Sequence, residues 1–298
     1  MKRAREIQTE SKTTDIKLIN IEIAAGIYAE SVAVKLSWIR LRGAGAGVSM
    51  IQSPGGPAVL VSSAQPVFFE GLTMSSLNST GLGAINDTFI GVSGCEFRDS
   101  RTGIALFTQS SAEVTSSTFS NNNNSVVAVA SSTALLFDSV ITGKSTNQGS
   151  GVIIGDGGMG ELENVSISQT RTGVAVYPNA TLFTFGGLNI SNNRIGCFVA
   201  GSSYLELSDS TVSNNSSVGV LLDLGSSAGM FSMTLNNNGT AISVNGNSYV
   251  DIGNSEVKFN NLGIGFDLFG KGVLRQVDVS NNTSNTQTSR GGEFFAEP

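Results

Sequence analysis

Histidine is missing altogether from the 298 residues. Its absence removes the commonest general acid–base side chain and the commonest transition-metal ligand. Charge is also scarce: Asp, Glu, Lys and Arg make up 13% of the chain against 40% hydrophobic residues. The surface must therefore be covered by Ser, Thr, Asn and Gly, while the apolar residues suffice for a long core. The net charge of −6 supplies no electrostatic footprint for nucleic acid or an anionic membrane. No apolar run approaches membrane-spanning length, and the basic start MKRAREIQTESK lacks the apolar stretch of a secretory leader. Either the chain is not exported by that route, or a leader is not part of this sequence. An extracellular or cell-surface location is expected, because β solenoids rich in Asn, Ser and Thr are mostly found there.

What the chain does have is a repeat. From Gly173 to Asn282 one pattern recurs, with starts at Gly173, Gly196, Gly219, Ala241 and Gly263, so the steps are 23, 23, 22 and 22 residues. A fixed period of this size marks a solenoid. Upstream, less regular coils start at Gly56 and Gly81, and more regular ones at Gly103, Val126 and Gly151. Within each coil three short alternating runs point inward. The first includes Val174/Val176 and Ile264/Phe266, the second Leu135/Phe137 and Leu205/Leu207, and the third Val165/Ile167 and Val277/Val279. Three period-2 runs broken by Gly, Ser and Asn predict three strands around a triangular section, stacked roughly 4.8 Å apart. The expectation is an all-β solenoid of about ten to eleven coils of 22–25 residues over 21–283, with 1–20 and 284–298 as a cap, loose segment or tail.

The frame then sorts individual residues. Asn recurs at one corner, as Asn121/Asn122, Asn192/Asn193, Asn214/Asn215, Asn237/Asn238, Asn260/Asn261 and Asn281/Asn282. Asn tolerates left-handed backbone and bonds to a stacked copy of itself, which makes this column scaffold. Cys95 and Cys197 fall five coils apart, roughly 24 Å at the strand spacing, beyond disulfide reach. Both are expected as small buried hydrophobes.

Three columns carry candidate chemistry. The first is Asp223, Asn245 and Asp267 on successive coils, with the two carboxylates about 9–10 Å apart, near the upper end of the spacing used by inverting glycosidases. Asp223 and Asp267 are the candidate acid and base, with Asn245 holding a sugar hydroxyl and Tyr177 and Phe198 stacking on sugar rings. Against this, the position ends a strand, where Asp and Asn serve the turn itself. The second column faces outward and reads Glu113, Glu161, Glu206 and Asp251, with Leu136, Phe183 and Gly229 between them. It reads as a solvated stripe whose skipped coils relieve like-charge repulsion. Its functional alternative is binding of a divalent cation or a basic ligand, with Glu163 beside Glu161 as the local pair. The third is Arg171 and Arg194 at the corner before neighbouring coils, placed to meet a carboxylated sugar or to aid solubility. The GDGG run at Asp156 echoes a calcium loop without its repeating motif, so no cofactor is implied.

The stretch GIYAESVAVKLSWIRLRGAGAGVSMI, with Gly26, Tyr28, Glu30, Gly43 and Gly45, resembles the opening coils of pectin methylesterases and other members of the pectate-lyase-like superfamily. The resemblance implies a single-stranded right-handed parallel β-helix. It does not bring an activity with it. Where those esterases carry paired Asp and Gln, this chain reads RDSRTGIALF, and the second catalytic segment has no counterpart. Polygalacturonase-like sites fail for want of histidine, and a lyase-like set of calcium-binding acids with a basic residue stays open. Two functions stay open: a polysaccharide-binding or adhesive β-helix without catalysis, and a hydrolase or lyase acting on an acidic glycan.

Overall fold

A computed structural model describes residues 17–146 and 148–297. Every element in it is a strand or a connection between strands. Thirteen strands form a first sheet, from Ile19–Ile23 to Glu293–Glu297. Twelve form a second, from Gly26–Tyr28 to Asp278–Ser280, and twelve a third, from Val32–Val34 to Ser284–Thr288. Each strand pairs in parallel with its equivalents one coil away, so consecutive strands of the chain lie in different sheets. The chain is a parallel β-helix of about thirteen turns rather than ten to eleven. The shortfall lay at both ends, where the repeat is too irregular to count. Ile19–Ile23 already pairs with Ile39–Gly43. At the other end Ser284–Thr288 pairs with Leu262–Phe266, and Glu293–Glu297 with Lys271–Arg275. The segment expected as a terminal cap or tail thus adds strands, and Phe294 stacks on Phe266 with ring centroids 5.5 Å apart. Of the expected N-terminal covering segment, 1–16 lie outside the described residues.

Strict alternation explains the core. On the second sheet Met74, Phe97, Phe119, Ile141, Ile167 and Ile190 occupy one inward register and are all fully buried. Phe97 and Phe119 stack at 5.0 Å. The glycine that opens most coils sits where the carbonyl of the next coil comes closest: a Cβ on Gly196 would lie 2.4 Å from the Gly219 oxygen. No real Cβ approaches a carbonyl so closely, so at this coil the position takes glycine, whereas Ser125 and Ala241 stand in the same column of other coils.

At one coil the sequence frame slips. Ile104 pairs with Val126, which puts Ser125 rather than Val126 opposite Gly103. Starting one residue late inverts the faces, because side chains alternate with period two. Ala134 and Leu136 therefore point into the core, while Leu135 and Phe137 face outward. Leu135, not Leu136, stands between Glu113 and Glu161 in the outer column.

The Asn corner divides into two tasks. Asn121, Asn192, Asn214, Asn237 and Asn281 adopt positive φ, and their successors are buried or half-buried and form the ladder. Asn193 N donates to Asn215 Oδ1 at 3.1 Å, Asn215 N to Asn238 Oδ1 at 3.0 Å, and Asn238 N to Asn260 Oδ1 at 2.8 Å. In one coil the left-handed residue is Phe259, so Asn260 is the ladder member and Asn261 lies past it. Cys95 and Cys197 are free and buried, and loss of water pushes their thiols up to about 11 and about 12.

Candidate functional site

The outer face of the first sheet is where side chains of neighbouring coils meet over a gap. Three strands there, Tyr204–Ser208, Ser227–Phe231 and Tyr249–Gly253, present alternate residues to solvent. Register aligns Tyr204 with Ser227 and Tyr249, Glu206 with Gly229 and Asp251, and Ser208 with Phe231 and Gly253. Gly229 has no side chain, so its place between two carboxylates is a notch. The Tyr204 hydroxyl leans over it, 3.0 Å from where a Cβ on Gly229 would sit. The result is a groove of about 750 Å³, with Phe231 and Tyr249 on its walls and Arg275 and Glu297 on its far rim.

Hydrogen bonding and charge fix the polar groups. Tyr204 donates to Glu206 Oε2 at 3.3 Å. Burial first, then the charge of Glu206 and its hydrogen bond, then Asp251, push the Tyr204 phenol above its ordinary pKa. Arg275 is ion-paired through Nη1 to Asp251 and through Nε to Glu297 Oε2 at 3.1 Å. Its own pKa rises, chiefly through the bond to Asp251. Glu206 and Asp251 are two strand spacings apart, roughly 9–10 Å along the stack. Three carboxylates against one guanidinium leave the groove negative.

The trio Asp223, Asn245 and Asp267 is in register, but its side chains serve their own turns. Asp223 Oδ1 accepts from Leu224 N at 2.9 Å, and Asp267 Oδ1 from Leu268 N at 2.8 Å and from Ser289 Oγ at 2.9 Å. Asn245 Nδ2 donates to Ser243 Oγ at 3.2 Å. Both carboxylates thus hold backbone that turns through left-handed residues, Leu224 in one case and Leu268 and Phe269 in the other. Three other predicted residues do come together. Arg171, Tyr177 and Phe198 line one cleft of about 250 Å³, with the two rings edge to face at 6.0 Å. Arg194 stands one coil further along the same corner, outside that cleft. Around Asp156 and Glu161/Glu163, as elsewhere among the described residues, no three His, Cys, Asp or Glu side chains gather closely enough to hold a metal ion.

Tyr204, Tyr249, Phe231 and Arg275 are the groove residues that sequence reasoning missed. The signal was available: aromatic residues at outward positions of coils that also carry the Glu206–Gly229–Asp251 run. A solvated stripe needs no aromatic neighbours.

No curated protein matches the chain. Among solved structures, the A-module of a mannuronan C-5 epimerase from Azotobacter vinelandii superimposes with a TM-score of 0.75 at 13% identity, covering 94% of this chain and 91% of that one. A hyperthermoactive exopolygalacturonase from Thermotoga maritima gives 0.64 at 10% identity, over 94% and 87%. The catalytic unit of a thermostable GH87 α-1,3-glucanase from Streptomyces thermodiastaticus gives 0.61 at 14% identity, over 93% of this chain and 63% of that one. At these identities the superpositions establish a shared fold and nothing more, one that this chain has in common with an epimerase, an exopolygalacturonase and a glucanase. The family profile for the right-handed beta helix region matches residues 25–143 and again 144–285, and the chain belongs to that family.

Proposed function

We propose that the protein binds a polysaccharide in the groove around Gly229. One observation carries this reading: aromatic walls, a phenol, carboxylates and a guanidinium converge on a notch in the strand surface. Sugars offer apolar C–H faces and many hydroxyls. A groove combining half-exposed rings with a few fixed polar groups is complementary to both. The excess negative charge favours a neutral glycan there over an acidic one. The fold it shares with an epimerase, a glucanase and a polygalacturonase supports a polysaccharide as the partner. A secreted or cell-surface location belongs to the same proposal.

Hydrolysis is the second reading, favoured by Glu206 and Asp251 across Gly229. Their spacing leaves room for a water between sugar and base, as inversion requires. Arg275 holds the Asp251 carboxylate in place, and Glu206, which accepts from the Tyr204 hydroxyl, stands across the notch from it, so the pair would divide the roles of acid and base.

A glycan array followed by a reducing-sugar assay tests both readings. Gly229→Leu fills the notch from outside the core and should weaken glycan binding at least tenfold, with an unchanged melting temperature. Unchanged binding in that variant would remove the groove from the proposal. Cleavage by the wild type that disappears in Glu206→Gln and Asp251→Asn establishes the hydrolase. Cleavage lost instead in Asp223→Asn or Asp267→Asn moves the site to the edge of the third sheet.

A further inference from the structure

The corner joining the second sheet to the third carries a different kind of surface. Register aligns Thr102, Asn124, Ser150, Thr172 and Ile195 along the third sheet. The residues just before them therefore form one corner column, in which Arg101, Arg171 and Arg194 are the cations. Lys144, which follows the strand Val140–Gly143, shares a cleft of about 400 Å³ with Arg101 and three asparagines, Asn78, Asn121 and Asn123. All four cations are exposed, and none has an ion-pair partner among the described residues. Elsewhere most cations are matched: Arg40, Arg42, Arg98, Lys258, Lys271, Arg275 and Arg290 all face carboxylates within 4.0 Å, and of the other described cations only Lys17 and Lys35, both near the N-terminal end, do not. The one acid in the corner cleft, Asp99, is already bound by Asn121 Nδ2 and lies 4.0 Å from Arg98.

We propose that this corner docks a polyanionic polysaccharide, at a site separate from the groove around Gly229. Arg171 and Arg194 sit on adjacent coils, roughly 4.8 Å apart along the stack, so their charges repel until an anion lies between them. A carboxylate or sulfate there accepts from both guanidinium groups. Beside Arg171, the cleft holding Tyr177 and Phe198 adds a second, independent feature. Its edge-to-face rings suit a sugar ring carrying that anion, and Ser150 and Thr172 line the same cleft. From Arg101 to Arg194 the column runs four coil steps, roughly 19 Å. A ligand with anions repeated along one chain engages the cations together, and its effective affinity exceeds that of any single contact. Widely spaced cations on a chain of net charge −6 fit a glycan with one charge per sugar or fewer. They match duplex nucleic acid poorly, because its charges recur about every 1.7 Å.

Affinity electrophoresis through gels containing polygalacturonate, dextran or duplex DNA tests the assignment. The wild type should be retarded by polygalacturonate and not by dextran at this corner, with the retardation falling as salt rises from about 50 to about 500 mM. Arg171→Gln/Arg194→Gln and, independently, Arg101→Gln/Lys144→Gln should each weaken that binding about tenfold. Gly229→Leu should leave it intact, which separates this site from the groove. Equal retardation of both double variants and wild type would overturn the proposal. So would a wild type that ignores polygalacturonate at low salt, or one that prefers duplex DNA to it.

Discussion

Asn215 holds three layers of the corner with one amide. Its Nδ2 donates to Ile190 O at 3.3 Å and to Asn238 Oδ1 at 3.0 Å, while its Oδ1 accepts from Asn193 N at 3.1 Å. The side chain is fully buried, so no water replaces a lost partner. Asn215→Ala leaves the Asn193 N–H without its acceptor and breaks the amide rung to Asn238, and should cost about 2–4 kcal/mol, read as a lower denaturant midpoint. Asn214→Ala should cost only about 1 kcal/mol, because Asn214 contributes its tolerance of positive φ and not a rung of the ladder. Equal losses would contradict that division of tasks. The column was legible as scaffold from its recurrence alone. Which Asn of each pair is buried was not legible, because the pair Asn260/Asn261 is displaced by one residue relative to the left-handed position at Phe259. Asp223 and Asp267 show the same boundary. Their alignment could be read from the period, whereas their engagement with the N–H groups of Leu224 and Leu268 depends on turn geometry that spacing does not encode.

The third-sheet strand Asn124–Ala128 shows how one residue decides the reading of an element. Most coils open with glycine in this register, and Ser125 takes its place. A frame anchored on the next apolar residue, Val126, turned the following first-sheet strand inside out. The glycine signal was replaced by serine, and Leu135 and Phe137 are as apolar as the residues that do point inward. Ser125 also brings a hydroxyl that is buried and without a hydrogen-bond partner among the described residues. Ala241 shows that the column accepts a methyl group. Ser125→Ala should therefore stabilise the protein by about 1 kcal/mol, the cost of burying an unpaired hydroxyl, seen as a raised midpoint in urea. A destabilised variant would mean that the hydroxyl holds something in solution. The first-sheet groove escaped the sequence reading for a related reason. Its acids were placed correctly in the outer column, but an outer column is ordinarily solvated. Only the lean of Tyr204 over Gly229 shows that a notch is enclosed.

A solenoid is held together by neighbours, so its stability should vary along the axis. Coils in the middle have a partner on each side and fully buried inward residues. At the C-terminal end Ser284–Thr288 is exposed along its whole length, and Val279 on the second sheet is only half-buried. At the N-terminal end Ile19, Ile21 and Ile23 are half-buried as well. Amide exchange should be slowest across roughly 133–266 and faster toward both ends, with each 1.4 kcal/mol of local stability worth a tenfold change in protection. The Phe266–Phe294 stack should keep the first-sheet strand Glu293–Glu297 better protected than Ser284–Thr288. The groove gives this gradient a functional side. Its floor is the stable strand Ser227–Phe231, but its rim is the Arg275–Glu297 pair, which spans the last two strands of the sheet. Opening of the final coil removes that rim and releases Arg275 from one of its two carboxylates. A glycan held in the groove binds the closed rim only, so by mass action it should slow exchange at 271–297 far more than at 227–231. Protection gained equally along the whole helix, or at the corner near Arg171 alone, would place the ligand elsewhere.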